Sequence, residues 1–327
     1  MIKLFSLRQP IVFLLLVLLV LLLKLPVLLL DNPIKGDYTS YTFFGDLFVF
    51  LNQTKLTSYL AGSTIIILQT LHLNYIFEKH AVHLKNTFLP AFFYILFACL
   101  LTKVDANITP SLLVQTPLMF ALEIYFDLYK SNAVKEKVFT AMFIVGIGIL
   151  LYLPLAYLLL GFWICLFFIK IPSLRDFMIA TISALLPVYF ALVYSYYTNN
   201  VLYFVEKFKL LILFTSSFKF EETQAELTLL AAIGMIVLVA SMKLYSNHFK
   251  NIIKTRIIQE MLFVLSFIIL LVLIFLLKFQ YQHLLFFLIP FSYILSYFMM
   301  GKWKFFLNEI LTVVLFLSII LLKFYPL

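Results

Sequence analysis

The chain has 327 residues, of which 64% are hydrophobic and only 12% charged, and its formal net charge is +9. A soluble core cannot bury that much apolar surface, whereas a lipid bilayer can, so the composition excludes an ordinary soluble domain. The basic residues are scattered between apolar runs rather than gathered on one surface, which excludes a nucleic-acid-binding protein. We therefore expect an all-α, polytopic transmembrane helical bundle whose main partner is the lipid bilayer.

Apolar runs separated by short polar segments predict about eleven membrane spans in a single integral membrane domain, residues 1–327. The first run is too long for the apolar region of a signal peptide and has no small-residue cleavage site after it, so we expect it to be retained. The fifth and sixth runs are short and are divided only by Pro154. The predicted spans lie near residues 11–30, 59–77, 87–102, 109–128, 138–153, 155–170, 177–197, 227–243, 261–277, 284–300 and 305–322.

The distribution of basic residues predicts the direction of these spans. If the N-terminus lies in the cytoplasm, the inner segments hold most of the lysines and every arginine, namely Arg8, Arg175 and Arg256. Basic residues favour the cytoplasmic side of a membrane, so we expect the N-terminus inside. Two longer segments, 31–58 and 198–226, then face outward.

Each of these outer segments contains an aromatic-rich or amphipathic piece that suits the level of the lipid headgroups, so we expect an interfacial helix in each. In the second segment, residues 199–220 are apolar but contain Glu206, Lys207 and Lys209. If this stretch crossed the membrane, the most basic inner segment, 243–256, would face outward, against the charge bias. We therefore expect it to lie at the outer interface.

Acidic residues in the outer segments are the candidates for chemistry. Asp37 follows the first span closely and precedes the first interfacial helix, and Asp105 lies in a short outer loop. Carboxylates at a membrane surface act as general bases or hold a divalent cation, although many are simply solvated loop charges. His80 and His83 stand at helical spacing, but neighbouring lysines repel a cation, so we predict no metal site there. A divalent cation near the outer carboxylates is the one cofactor that the sequence suggests.

The order of these parts resembles the GT-C superfamily of integral-membrane glycosyltransferases, which take a sugar from a polyprenyl-phosphate donor on the outer side of the membrane. The family pattern begins with one span, an outer acidic residue and a helix parallel to the membrane. Here residues 11–30, Asp37 and residues 41–51 look like those parts.

The family pattern continues with a helix pair around a short outer loop, which looks like 89–101, Asp105 and 112–128. A glycine-bearing pair of short helices broken at Pro154 follows. The resemblance covers residues 1–200 and leaves 201–327 as an interfacial segment with the C-terminal spans.

The resemblance implies glycosyl transfer from a lipid-linked sugar at the outer face of a bacterial inner (cytoplasmic) membrane. Asp37 would be the base that deprotonates the acceptor hydroxyl, and Asp105 would assist through a divalent cation or by orienting the acceptor. Lys35 or Lys103 would hold the phosphate of the polyprenyl-phosphate-linked sugar.

Two other functions remain open, because the first outer segment has no adjacent Asp-Glu pair and the outer side has no arginine to grip a diphosphate. The sparse polar content of the spans favours a non-catalytic subunit of a cell-envelope or secretion complex, with other envelope membrane proteins as partners. A transporter or flippase is the third hypothesis, which the low glycine content (8 residues) disfavours. The chain also looks like the small polytopic inner-membrane proteins of Bacteroidota, whose function is not established.

Overall fold

The computed structural model describes residues 2–5, 9–29, 41–80, 82, 87–102, 108–169, 172–212, 224–275, 281–300 and 305–324. All the regular structure in these residues is helical, and no strand occurs among them, so the predicted all-α class is confirmed. Short 3-10 helices cover Leu153–Tyr157, His248–Lys250 and Tyr281–Phe287. The α-helices are α1 (Ile2–Phe5), α2 (Pro10–Lys24), α3 (Pro26–Leu29), α4 (Gly45–Leu51), α5 (Lys55–Lys79), α6 (Leu89–Leu101), α7 (Pro110–Leu113), α8 (Gln115–Phe126), α9 (Val134–Leu151), α10 (Leu158–Ile169), α11 (Leu174–Tyr197), α12 (Val201–Ile212), α13 (Gln224–Ser246), α14 (Ile253–Phe275), α15 (Leu288–Met299) and α16 (Phe305–Phe324).

Helical residues lie at each position where the sequence predicts a span. Within the described residues, 5 helices are long and apolar enough to cross a membrane: Ile11–Leu29, Lys55–Lys79, Leu174–Tyr197, Thr228–Ser246 and Ile253–Leu273. Other apolar helices are shorter, and α6 has only 13 residues. At about 1.5 Å per residue, a helix of that length reaches roughly 20 Å, less than the roughly 30 Å of a hydrocarbon core.

Contacts between helices sort their ends into two groups. At the end that we name the Lys79 end, the Phe88 N–H donates to the Phe5 carbonyl (2.9 Å) and Lys79 Nζ donates to Asp127 Oδ2 (2.9 Å). Helices α2 and α6 therefore begin at this end, whereas α5 and α8 end there.

The opposite end, named the Tyr41 end, is joined by its own contacts. The Leu153 N–H donates to the Tyr41 carbonyl (2.9 Å), and Asn52 Nδ2 donates to the Ile108 carbonyl (2.8 Å). The described helices of the two predicted interfacial segments, α4 and α12, lie at this end.

Helix α6 forms the centre of the bundle, since every one of its residues is buried. It packs against α15, α5 and α2, while α10 packs against α14. Helices from the first 200 residues thus share one hydrophobic core with helices from the remainder.

A buried polar contact joins α5 to its neighbours. Gln69 Nε2 donates to the Leu112 carbonyl (2.8 Å) and to Thr116 Oγ1 (3.0 Å), and the Tyr94 hydroxyl donates to Gln69 Oε1 (2.8 Å). Gln69 and Tyr94 are both buried. Because water is excluded from such a core, each polar group depends on these protein partners.

Helices α9 and α11 approach each other closely at Gly146. A Cβ atom on Gly146 would lie 2.3 Å from the Ala184 carbonyl oxygen and 2.9 Å from Pro187 Cγ. Pro187 lies inside α11, where its ring and missing N–H bend a helix. Only glycine lets α9 approach α11 so closely.

Both predicted interfacial segments contain a helix in the structure. Helix α4 carries exposed Leu47 and Phe50, and α12 begins after Asn199, whose φ of 58° ends α11. The Phe43 ring lies 4.8 Å from the ring of buried Phe204 in α12, so the two segments meet at the Tyr41 end. Residues 213–220 of the ambiguous stretch lie outside the described residues.

Candidate functional site

The sequence-predicted site residues all lie outside the described residues, between described helices. Keeping the wording of the sequence prediction, we name residues 31–40 the first loop and residues 103–107 the second loop. The first loop carries the predicted substrate-binding Lys35 and catalytic Asp37, and the second loop carries Lys103 and Asp105.

The segments that flank these loops are bonded to one another on both sides. Before the first loop, buried Lys24 donates from Nζ to Thr102 Oγ1, immediately before the second loop. After the first loop, Asn52 Nδ2 donates to the Ile108 carbonyl (2.8 Å) and Asn52 Oδ1 accepts from the Ile108 N–H (3.2 Å). The described residues before and after both loops therefore lie at the Tyr41 end.

A cluster of aromatic and titratable side chains lies at the same end, and we name Tyr41, Tyr152, Tyr157 and His283 the Tyr41 cluster. The Tyr152 hydroxyl shares a hydrogen bond with His283 Nδ1. The Tyr41 ring meets the His283 ring edge-on at 5.5 Å and the Tyr152 ring at 6.3 Å. Tyr157 ends the 3-10 helix Leu153–Tyr157, which begins directly after Tyr152, so it lies at the same end of the bundle.

Irregular backbone positions the Tyr41 cluster. Tyr152 caps α9, with its N–H bonded to the Gly148 carbonyl (2.8 Å), and the chain then continues as the 3-10 helix Leu153–Tyr157. His283 lies in the 3-10 helix Tyr281–Phe287, which packs against α7. Non-helical backbone within a membrane protein is tolerated where protein covers it or where it lines a polar site.

His283 is the most unusual member of the Tyr41 cluster. Its side chain is fully buried, and its Nε2 atom has no hydrogen-bond partner among the described residues. A buried imidazole nitrogen without a partner is costly and marks a place where a further polar group is expected.

A second polar cluster occupies the Lys79 end. Lys79 Nζ pairs with Glu123 Oε1 (2.7 Å) and Asp127 Oδ2 (2.9 Å), and His72 Nε2 lies 2.9 Å from Glu123 Oε2. These groups pair with one another near the ends of α5 and α8, which indicates a structural role.

His80 lies beside this second cluster and is buried. Burial, and after it the charge of Lys254, lowers the pKa of His80 to about 4, so its ring is neutral near pH 7. Among the described residues, no group of three or more His, Cys, Asp or Glu side chains could hold a metal ion. The described free cysteines, Cys99 and Cys165, are both buried.

Sequence reasoning missed the Tyr41 cluster because its members are far apart in the chain. Tyr152 and His283 are separated by 131 positions, and no spacing or motif connects them. The nearest signal is Pro154, which predicts a broken helix beside Tyr152 but says nothing of its partner. In comparisons with known proteins, no family model, no curated protein and no solved structure matches this chain.

Proposed function

We propose that this protein transfers a sugar from a lipid-linked donor, in the manner of the GT-C enzymes that its layout resembles. The reaction takes place at the Tyr41 end, with Asp37 as the base and Asp105 as its assistant. Lys35 and Lys103 hold the donor phosphate, and a divalent cation is the cofactor that such carboxylates would accept. The observation that carries the proposal is the bonding between the flanks of the two loops.

The flanks matter because covalent geometry limits how far a short loop can reach. Residues 103–107 connect Thr102 to Ile108, and a chain extends by at most about 3.6 Å per residue. Since Thr102 is bonded to Lys24 and Ile108 to Asn52, the second loop begins and ends beside the flanks of the first. This supports a shared role for the two carboxylates on one substrate.

The proposal also requires a topology with about eleven spans and the N-terminus in the cytoplasm of a bacterial inner membrane. The Tyr41 end then faces outward, with α4 and α12 in the outer interface. Two observations support this arrangement. Helices α2 and α6 run in the opposite direction to α5 and α8, and the contacts described above join helix ends within the Lys79 end and within the Tyr41 end.

Single introduced cysteines test the topology, because both native cysteines are buried. Lys55→Cys is exposed at the Tyr41 end and Lys135→Cys is exposed at the Lys79 end. In spheroplasts, a membrane-impermeant maleimide is expected to label Lys55→Cys at once and Lys135→Cys only after permeabilisation. The reverse pattern would overturn the orientation, and equal labelling of both would overturn the placement on opposite sides.

Substitution of the two proposed acids tests the reaction. Asp37→Asn and Asp105→Asn are each expected to lower sugar transfer at least about a hundredfold, since each removes a group that acts on a proton or a cation in the transition state. The measurement is restoration of the cell-surface glycan in a deletion strain at matched protein level.

Asp46→Asn is the matched control, because Asp46 is an exposed carboxylate at the same end and has no proposed role. It is expected to restore the glycan fully. If Asp37→Asn and Asp105→Asn also do so, the enzyme proposal fails, and the non-catalytic envelope subunit takes its place.

The subunit alternative has an observation of its own. The membrane-crossing windows of α11 and α13 are only 22% buried, so most of their surface is left for lipid or for another protein. Purification in mild detergent distinguishes the two functions, since a subunit retains stoichiometric partners and an independent enzyme does not.

A further inference from the structure

We propose that His283 donates a hydrogen bond from Nε2 to a phosphate oxygen of the lipid-linked substrate, and that Tyr152 holds its ring in the tautomer that can do so. This inference deepens the proposed function and rests on it. It assigns a substrate-binding role to two residues that the sequence does not connect.

The first step is the state of the imidazole ring. A neutral imidazole carries a proton on one nitrogen and a lone pair on the other. The Tyr152 hydroxyl is hydrogen-bonded to Nδ1 of His283. A phenolic hydroxyl is a good donor and a neutral imidazole nitrogen a good acceptor, so we assign the hydroxyl as the donor and the ring proton to Nε2. His283 therefore presents an N–H donor whose orientation is fixed from the other side of the ring.

The second step is the packing that holds this donor in place. The Tyr41 ring packs edge-on against the rings of both His283 and Tyr152. The Phe286 ring lies 5.6 Å from the Tyr152 ring, and His283 is fully buried. A donor that is already oriented loses little freedom when an acceptor arrives.

The third step is the kind of acceptor that fits. Nε2–H can only donate, and it has no partner among the described residues. In an apolar surrounding, a donor of this kind binds a charged oxygen more strongly than a neutral one. A phosphate oxygen satisfies it, and the buried Lys24 amine lies at the same end of the bundle.

The fourth step is the position of His283 relative to the proposed acids. Tyr41, which touches His283, follows the first loop after residue 40. Helix α7 follows the second loop closely and packs against the 3-10 helix that contains His283. The histidine thus lies between the elements that lead out of both acid-bearing loops.

Purified protein in detergent micelles allows a direct binding test. The probe is undecaprenyl phosphate, and undecaprenol and inorganic phosphate serve as comparison ligands, with binding measured by native mass spectrometry. His283→Asn keeps an acceptor for Tyr152 but loses the Nε2 donor, whereas His283→Gln places an amide N–H near the position of Nε2. We expect His283→Asn to weaken undecaprenyl phosphate binding about ten- to a hundredfold, and His283→Gln to stay within about threefold of wild type.

Two further variants complete the design. Tyr152→Phe removes the hydroxyl that fixes the tautomer and is expected to weaken binding about threefold to tenfold. His72→Asn changes a histidine at the Lys79 end and is expected to bind as wild type does. Thermal unfolding of every variant checks that it is folded. If His283→Asn does not fold, binding by Tyr152→Phe tests the role of His283 instead.

The outcomes separate the two proposals. If His283→Asn and Tyr152→Phe bind undecaprenyl phosphate normally while Asp37→Asn abolishes transfer, the role of His283 is wrong and the proposed function stands. Equal losses for undecaprenol would show that the acceptor is not a phosphate oxygen, and equally tight, His283-dependent binding of inorganic phosphate would show that the lipid is not recognised. If wild type binds no undecaprenyl phosphate and Asp37→Asn is fully active, both proposals fail.

Discussion

Gly146→Ala is expected to lower the free energy of unfolding by about 3 kcal/mol, because the added methyl group overlaps atoms that cannot move aside. Its Cβ would stand 2.3 Å from the Ala184 carbonyl oxygen, which belongs to the backbone of α11. The second neighbour, Pro187, is a rigid ring. Helices α9 and α11 must therefore separate, and the measurement is the thermal unfolding midpoint of the purified protein in detergent.

Two other glycines calibrate this result. A Cβ on Gly234 meets nothing within 4 Å, so Gly234→Ala is expected to leave stability unchanged or to raise it by up to about 1 kcal/mol through helix propensity. A Cβ on Gly161 would lie 2.7 Å from the end of the flexible Leu265 side chain, so Gly161→Ala should fall between the two. If Gly146→Ala matched Gly234→Ala, the close approach of α9 and α11 would be wrong.

Gln69→Leu is expected to cost about 2 kcal/mol, because it leaves the Tyr94 hydroxyl and the Thr116 hydroxyl without the partners shown in the structure. Tyr94→Phe alone is expected to cost about 1 kcal/mol, since it leaves only Gln69 Oε1 unsatisfied. Unfolding in detergent, monitored by circular dichroism, gives both values.

The double variant is the sharper test of this contact. When Gln69→Leu and Tyr94→Phe are combined, neither member of the pair is left unsatisfied, so the combined cost is expected to be smaller than the sum of the single costs. Additive costs would mean that the two side chains do not depend on each other. The conservative Thr116→Val variant removes one of the two acceptors of Gln69 Nε2 and is a suitable comparison for a loss of a single bond.

The positions of the helices could be predicted because lipid requires long apolar runs, and polar residues such as Glu206 and Lys207 mark the exceptions. That signal also predicted that residues 199–220 are an interfacial stretch rather than a span, and the structure has a 12-residue helix, α12, within it. The reason is physical, since charge and apolar length act locally along the chain.

The partners of each helix could not be predicted in the same way. Lys79 and Glu123 lie 44 positions apart, and each could equally have extended towards water from its own helix end. A helix that is apolar on every side gives no sequence signal of which face meets protein and which meets lipid. For that reason the contact of Gly146 with α11 and the Tyr152–His283 hydrogen bond could not be predicted from the sequence and are seen only in the structure.

The full burial of α6 has a consequence for the order in which the core is completed. During synthesis, Leu89–Leu101 is made long before α15, which packs against it. Until α15 has been made, the part of the α6 surface that it covers has no final partner. The core is complete only when the last third of the chain is present, so a truncation after α12 would expose apolar surface of α6.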